Sequence, residues 1–322
     1  MLTKPKNHRR LAALILFVMF WISAPVRADI PEVEVILSSD ASHYEGVYQA
    51  FTNYLDKLPA NVRIIKQVLG DDDKPVAINS RTNLVVAVGV NACQKAISQT
   101  GSSPLLCTFL PRSAYISLIE QYPTRQNDGT VSAIFLDQPV SRYMVMIRQL
   151  VPTARELGTV VGPVSEQLLP EINALGKQHQ LTVNVANIDE ESNPVKVLSP
   201  MVENSDVILV TPDRAKLNKV TAKWLLHLSI RQRIPVIAFS RAYVNAGALA
   251  SIYSTPDDIG KDSGQFVELW LNNTQAPLGK PRYPKLYSLS TNQNVARALR
   301  ISLESDSELK AAIDRAESGA EQ

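Results

Sequence analysis

The sequence predicts an α/β fold made of two doubly wound lobes, each built on a parallel sheet. Short apolar runs alternate with amphipathic segments along the chain, in two successive series on either side of Pro139. Runs such as "LVVAV" (84–88) and "PVIAF" (235–239) lack the polar alternation of a half-exposed strand. Strands of this kind are covered on both faces, as in parallel sheets. No flexible linker separates the two series, so we expect two lobes that enclose a cleft.

The first series supplies one lobe. A strand at 33–37 precedes a helix at 42–58, where Ser42 and Glu45 have the spacing of a capping box. Further strands are predicted at 62–65, 84–88, 105–110 and 131–136. The strand at 84–88 ends on Gly89 and a helix starts at once. The N–H groups of such a turn either bind an anion or polar ligand or serve as scaffold, and the sequence leaves both interpretations open.

The second series begins with a helix at 140–150. Strands are predicted at 157–162, 181–186, 206–210 and 235–239, with helices between them. The helix at 216–232 carries apolar residues on one face. A strand at 248–253, a helix at 256–271, a strand at 285–289 and a helix at 292–301 complete the ordered chain.

The N-terminal 28 residues (1–28) have the pattern of a secretory signal peptide. Four basic residues precede an apolar core at 11–22, and small residues follow at the cleavage positions. The core is shorter than the roughly 20 residues of a typical membrane span, and a retained anchor is the alternative. We therefore expect export to a bacterial periplasm, with no stable membrane insertion after cleavage.

Removal of the signal peptide changes the charge of the chain. It carries five of the 33 basic residues and no acidic residue, so the mature chain has 28 basic against 31 acidic residues, a net charge of −3. This balance argues against a nucleic-acid partner.

Cys93 and Cys107 are the two cysteines of the sequence. Export permits a disulfide between them, but both lie in apolar patterns, so two buried thiols are equally compatible with the sequence. Two cysteines and four histidines argue against a structural zinc site. We expect no metal and no cofactor.

Polar and aromatic residues follow the predicted strands, where an open α/β sheet binds its ligand. Serine, aspartate and asparagine at these junctions also serve as helix N-caps. Capping does not explain the arginines and the tyrosine that occur at the same junctions. The candidates at the strand ends are Ser39, Asn91, Arg112, Asp137, Asp213, Ser240, Arg241 and Tyr243. Nucleophile elbows, phosphate loops, dinucleotide fingerprints and zinc motifs are missing from the sequence, so we predict that the protein is not an enzyme.

The stretch 206–272 carries a family resemblance. Asp213 follows a strand, "IPV" (234–236) opens the next, Ser240 ends it, and "GALA" (247–250) precedes a helix containing Gly260. This order resembles the periplasmic substrate-binding proteins of ABC importers that have a type I periplasmic binding fold, and the likeness extends over about residues 33–301.

The resemblance implies three crossings between the lobes, near Asp137, Gly247 and Pro284. One lobe would comprise 29–138 plus 248–283, and the other 139–247 plus 284–322. The family's binding positions map onto Ser39, Asn91, Asp137, Asp213 and Ser240. The sequence departs from the family pattern at Leu110-Pro111-Arg112 and at Phe135-Leu136-Asp137, which puts an ordinary amino-acid ligand in doubt.

We therefore hypothesise a solute-binding protein that closes on a small polar, amino-acid-like molecule and delivers it to an ABC permease. In this hypothesis Asp137 and Asp213 hold a cationic group and Arg112 and Arg241 an anionic one. Tyr44, Tyr243 or Tyr253 stacks on a flat apolar part. The rival interpretations are a ligand sensor for a membrane receptor or kinase and, in third place, an exported α/β enzyme.

Overall fold

The structure is a computed structural model that describes residues 30–59, 61–70, 75–101, 103–188, 193–213, 218–274 and 276–320. Within these ranges the strands form one sheet of five strands and one of six. The predicted signal peptide (1–28) lies outside the described residues. None of the helices in these ranges combines the length and the apolar character that a membrane span requires.

The first sheet is parallel throughout, with the order β2-β1-β3-β4-β5. The central strand β3 is buried along its whole length because helices cover both faces, whereas the edge strand β2 keeps exposed positions. Its strands are β1 (Glu32–Leu37), β2 (Arg63–Val68), β3 (Leu84–Val88), β4 (Leu105–Leu110) and β5 (Val131–Phe135). The helices of this stretch are α1 (Ser42–Leu55), α2 (Val90–Gln99), α3 (Arg112–Ile119) and α4 (Pro123–Asn127).

The second sheet has the order β11-β10-β9-β8-β6-β7, and only β11 runs antiparallel within the described part of the chain. Its strands are β6 (Glu156–Val161), β7 (Thr182–Asn187), β8 (Val207–Val210), β9 (Val236–Ala238), β10 (Ala250–Tyr253) and β11 (Ser288–Thr291). The accompanying helices are α5 (Val140–Leu150), α6 (Leu169–Gln178), α7 (Pro194–Glu203), α8 (Lys219–Gln232), α9 (Arg241–Ala246), α11 (Gln293–Leu299) and α12 (Asp306–Ala320). The two doubly wound lobes predicted from the sequence are thereby confirmed. Helix α12 lies beyond the predicted last helix at 292–301, so the prediction that the ordered chain ends there is wrong.

Residues 248–253 lie in the second lobe, although the resemblance assigned them to the first. Strand β10 pairs with β9 through Ala250 and Ser251, which are opposite Ile237 and Ala238. The chain therefore returns to the first lobe only after Tyr253, not at Gly247. It then forms α10 (Pro256–Leu271), which packs along α1. The correction has a physical origin, because sheet membership depends on pairing with a distant strand.

The third crossing follows α10. Residue Arg282 accepts a backbone hydrogen bond from Phe135 (3.0 Å) and donates one to Ala133 (2.9 Å), so the chain adds to the edge of the first sheet beside β5. The buried carboxylate of Asp262 in α10 forms an ion pair with the Arg282 guanidinium at 2.6 Å and accepts the Lys285 N–H at 2.7 Å. The segment leading back to the second lobe is thus fixed on α10.

Two local predictions have clear outcomes. Helix α1 has Ala41 as its N-cap without a side-chain hydrogen bond, so the capping box predicted at Ser42 is wrong. A capping box occurs instead at the start of α10, where Thr255 and Asp258 exchange hydrogen bonds. The two cysteines form a disulfide with Cα atoms 5.4 Å apart. This bond joins the first turn of α2 to β4 inside the first lobe's core.

Candidate functional site

A cavity of about 360 Å³ lies between the lobes, at the carboxyl ends of the strands of both sheets. Both flanks of the cavity come from residues that end or follow a strand, because parallel strands bring their carboxyl ends to one edge. The first lobe and the first crossing contribute Phe109, Pro111, Leu136, Asp137 and Gln138. The second lobe contributes Tyr143, Pro212, Asp213, Phe239, Ser240 and Tyr253, and the second crossing contributes Ser254.

The walls of this cavity are mainly apolar and aromatic. Phe109 stands on one side and Phe239 and Tyr253 on the other, and Tyr143 lies at the base of α5. The Tyr143 hydroxyl is buried 3.4 Å from the Ile252 carbonyl oxygen, and burial raises the pKa of this tyrosine. The ring therefore stays neutral at physiological pH. A flat, uncharged ligand surface matches these walls better than a compact ion does.

A second, narrow cavity of about 40 Å³ continues the cleft. It shares Asp137, Gln138, Tyr143 and Pro212 with the larger cavity. Its other lining residues are Arg112, Ser113, Val140, Val164, Gln167, Leu168, Thr211 and Tyr283. The narrow part is more polar in character, because a guanidinium, a carboxylate and hydroxyl groups meet there.

Thr211 has an unusual place in the narrow cavity. It follows β8 directly and is 1% exposed, and its hydroxyl oxygen has no hydrogen-bond partner among the described residues. A buried polar group without a partner is destabilising in the unliganded protein. Because Thr211 lines the narrow cavity, a ligand that enters it would lie beside this residue.

Asp137 and Asp213, the two predicted carboxylates, have different surroundings. Asp137 lies in both cavities and accepts the backbone N–H of Arg112 at the start of α3. Asp213 is buried, and its Oδ2 atom accepts hydrogen bonds from the backbone N–H groups of Val164 (3.1 Å) and Ser165 (2.9 Å) and from the Ser165 hydroxyl (2.8 Å). Asp213 therefore holds the loop after β6 against the cleft.

The predicted residues around β9 separate into three environments. Ser240 lines the larger cavity. Arg241 is exposed and donates from Nε to the Tyr253 hydroxyl at 2.8 Å, so it orients a ring that lines the cleft. Tyr243 lies outside both cleft cavities and lines a separate groove of about 600 Å³ between α8 and α9. Its ring packs against Phe239 at 5.1 Å, and burial raises its pKa to about 12.

The remaining predicted residues do not line either cleft cavity. The Ser39 hydroxyl accepts the Ala41 N–H at 3.3 Å within the turn before α1. Asn91 is exposed in the first turn of α2. Tyr44 lies behind the cleft and contacts the Phe109 ring edge to face at 5.9 Å, so it supports a wall residue.

The turn at Gly89 is occupied by protein groups. Gly89 has a φ of 92°, and a Cβ there would lie 2.6 Å from the Tyr44 ring. The Ala92 N–H at the start of α2 donates to the Ser38 hydroxyl at 2.9 Å. Of the two interpretations of this turn, the described contacts favour scaffold.

Of the tyrosines expected to stack on a ligand, Tyr253 lines the larger cavity. Sequence analysis missed two other aromatic residues of its walls. Phe109 belongs to β4 and Phe239 directly follows β9, and the apolar pattern of these strands predicts core positions for both. A search for aromatic residues at the last strand positions would have found them. The left-handed backbone at Phe109 (φ 57°) has no counterpart in the sequence pattern.

Known proteins share this architecture. A substrate-binding protein with adhesive properties from Clostridium difficile, in a ligand-free open structure, is 18% identical with a TM-score of 0.68, covering 86% of this chain and 97% of its own. A Streptococcus pneumonia ABC domain in complex with L-Trp is also 18% identical, with a TM-score of 0.55 and coverage of 85% and 96%. A conserved domain protein from Vibrio cholerae has 17% identity, a TM-score of 0.56 and coverage of 88% and 98%.

These structural neighbours have the same two-lobed fold, which confirms the type I periplasmic binding architecture. No curated protein sequence matches the chain. The family model described as "ABC transporter substrate binding protein" matches residues 33–312, which include both sheets and the cleft between them. The chain therefore belongs to the ABC transporter substrate-binding protein family.

Proposed function

We propose that the protein is a periplasmic solute-binding protein that captures an amino-acid-like molecule with a flat aromatic side chain and delivers it to an ABC permease. The observation that carries this proposal is the cleft itself, which has aromatic walls in its larger cavity and, beside its narrow one, a buried hydroxyl with no hydrogen-bond partner in the described part of the chain. A neighbour of the same fold is described in complex with L-Trp. Periplasmic location follows from the signal peptide predicted at 1–28.

In the proposed complex the flat side chain lies in the larger cavity between Phe109 and Phe239, where stacking and apolar burial stabilise it. The polar head enters the narrow cavity. Arg112 supplies a cation for a carboxylate, Asp137 an anion for an ammonium group, and the Thr211 hydroxyl a hydrogen bond. Ser240 contacts the ligand from the second lobe. Asp213 and Arg241 act indirectly, by holding the β6 loop and the Tyr253 ring.

Calorimetry on the mature protein tests this proposal. L-tryptophan, L-tyrosine and L-phenylalanine should bind, whereas glycine and ribose should not. At 100 times its Kd, a ligand that binds only the folded protein stabilises it by about 2.7 kcal/mol, so thermal unfolding offers a second readout. Saturable binding of a sugar together with no binding of any aromatic amino acid would contradict the proposal.

Thr211→Val isolates the polar half of the site. The substitution removes a hydroxyl that lacks a partner but keeps the shape, so the unliganded protein should be equally stable or slightly more so. Ligand affinity should fall about fivefold, in line with about 1 kcal/mol for one hydrogen bond. Ser132→Ala is the matched control, because the buried Ser132 hydroxyl also has no hydrogen-bond partner within the described ranges but lies within β5. Equal affinities of both variants would exclude Thr211 from the site.

A further inference from the structure

A chain of hydrogen bonds connects the three crossings between the lobes. The Gln138 side chain, in the first crossing, donates from Nε2 to the Ser254 hydroxyl in the second at 2.9 Å. The Ser254 hydroxyl donates in turn to the Leu286 carbonyl oxygen in the third at 2.8 Å. Gln138 and Ser254 also line the larger cavity. The hinge and the cleft therefore share these two side chains.

A buried guanidinium organises this network. Arg142, in the first turn of α5, is 5% exposed. Its Nη1 atom donates to Gln138 Oε1 at 2.6 Å and to the Pro284 carbonyl oxygen at 2.9 Å. One cation thus holds the first and third crossings together. A buried cation needs a charged partner, since removal from water is strongly unfavourable without one.

That partner comes from the C-terminal helix. The Glu317 carboxylate in α12 accepts two hydrogen bonds from the Arg142 guanidinium, one from Nε to Oε1 at 2.7 Å and one from Nη2 to Oε2 at 3.0 Å. The forked geometry fixes the orientation of the guanidinium plane as well as its position. The plane also stacks 4.1 Å from the centre of the Tyr287 ring, whose hydroxyl donates to Asp314 of α12. Helix α12 therefore contacts the hinge network at two points.

We infer that α12 is a brace for the hinge and that Glu317 is a positioning residue for ligand capture. Glu317 orients Arg142, Arg142 orients Gln138, and Gln138 forms part of the cleft wall at the first crossing. Through these steps the C-terminal helix sets the relative orientation of the lobes without touching the ligand. The effect on affinity rests on the proposed function, whereas the effect on lobe orientation does not.

Glu317→Gln tests the brace because it removes the charge and keeps the shape of the side chain. Glu304→Gln is the matched control, since it makes the same change in net charge at an exposed position before α12. Spin labels at Gln99→Cys in α2 and Lys177→Cys in α6 report the distance between the lobes by electron double resonance. The unliganded Glu317→Gln protein should show a broader distance distribution than the wild type, and Glu304→Gln an unchanged one.

Binding gives the second readout. The Kd of Glu317→Gln for L-tryptophan should rise at least threefold, and Arg142→Lys, which keeps the charge but loses the fork, should reproduce both effects. A lower unfolding temperature with an unchanged distance distribution would assign the pair to stability alone and overturn the inference. If L-tryptophan fails to bind even the wild type, the proposed ligand is wrong, and the distance distributions still decide the role of Glu317.

Discussion

At most positions alanine gives a more stable protein than glycine, and we predict the opposite order for substitutions of Phe109. It has a φ of 57° at the end of β4, where the pairing with β5 shifts register between Thr108 and Leu110. A bulky residue in this left-handed region is a rare, strained conformation. The strained backbone places the ring in the cleft wall, with Tyr44 behind it. Phe109→Ala and Phe109→Gly both remove the ring, but only glycine also relieves the backbone strain, so the two variants separate strain from ligand contact.

The expected difference between Phe109→Ala and Phe109→Gly follows from the backbone alone. Both variants lose the same ring contacts, so those contacts cancel. A left-handed conformation costs an L-residue about 1–2 kcal/mol relative to glycine. Glycine loses about 0.5–1 kcal/mol through its greater freedom in the unfolded chain. The two terms leave Phe109→Gly with a free energy of unfolding about 0.5–1 kcal/mol higher than that of Phe109→Ala.

Urea denaturation followed by circular dichroism measures this difference. Val185→Ala and Val185→Gly form the control pair, because Val185 lies inside β7 with 43% exposure. There alanine should be the more stable by about 0.5–1 kcal/mol. Affinity for L-tryptophan should fall equally in both Phe109 variants. The reasoning is refuted if alanine is the more stable residue at both positions.

Three further predictions concern the scaffold and the cleft. Replacing Cys93 and Cys107 by alanine should lower the free energy of unfolding by about 3 kcal/mol, because the disulfide closes a loop with a sequence separation of 14. Urea denaturation measures this loss, and a loss under about 1 kcal/mol would contradict the prediction. Gly260→Ala should be destabilising by about 1–2 kcal/mol, because its Cβ would lie 2.6 Å from Ala50 Cβ in α1, whereas Gly319→Ala, with no atom within 4 Å, should be neutral or stabilising. Burial raises the pKa of Tyr283 from its ordinary value near 10 to about 12. The stability that the neutral hydroxyl contributes is therefore complete below pH 10 and is lost as the pH rises towards 12. In Tyr283→Phe the free energy of unfolding should fall less steeply with pH over this range.

The fold could be predicted because buried parallel strands leave a strong local signal. The run at 84–88 is apolar at every position, and the structure buries every residue of β3. The sheet that a strand joins leaves no such signal. Strand β10 and its neighbour β9 share only two paired positions, and that pairing decides where the second crossing lies. The predicted crossing at Gly247 consequently came too early.

The candidate site shows a similar division between local and non-local information. Sequence placed Asp137, Asp213 and Ser240 at strand ends, and all three line the larger cavity. It did not show that the Asp213 carboxylate accepts hydrogen bonds from the loop after β6. A cap and a ligand contact require the same residue types at the same junction, so only the position of the partner separates them. The partner comes from another part of the chain.

The aromatic walls and the polar groups of the cleft have different parts in the proposed complex. An aromatic side chain buries about 150–250 Å², which contributes about 4–6 kcal/mol at about 25 cal/mol per Å². Association costs about 4–15 kcal/mol in lost freedom, so apolar contact by itself gives weak binding. In the proposed complex the polar groups that line the narrow cavity, Arg112, Asp137 and Thr211, add charge-assisted and hydrogen-bonded contacts to the apolar ones. We therefore propose that the walls select a flat molecule and that the narrow cavity selects one with an amino-acid head.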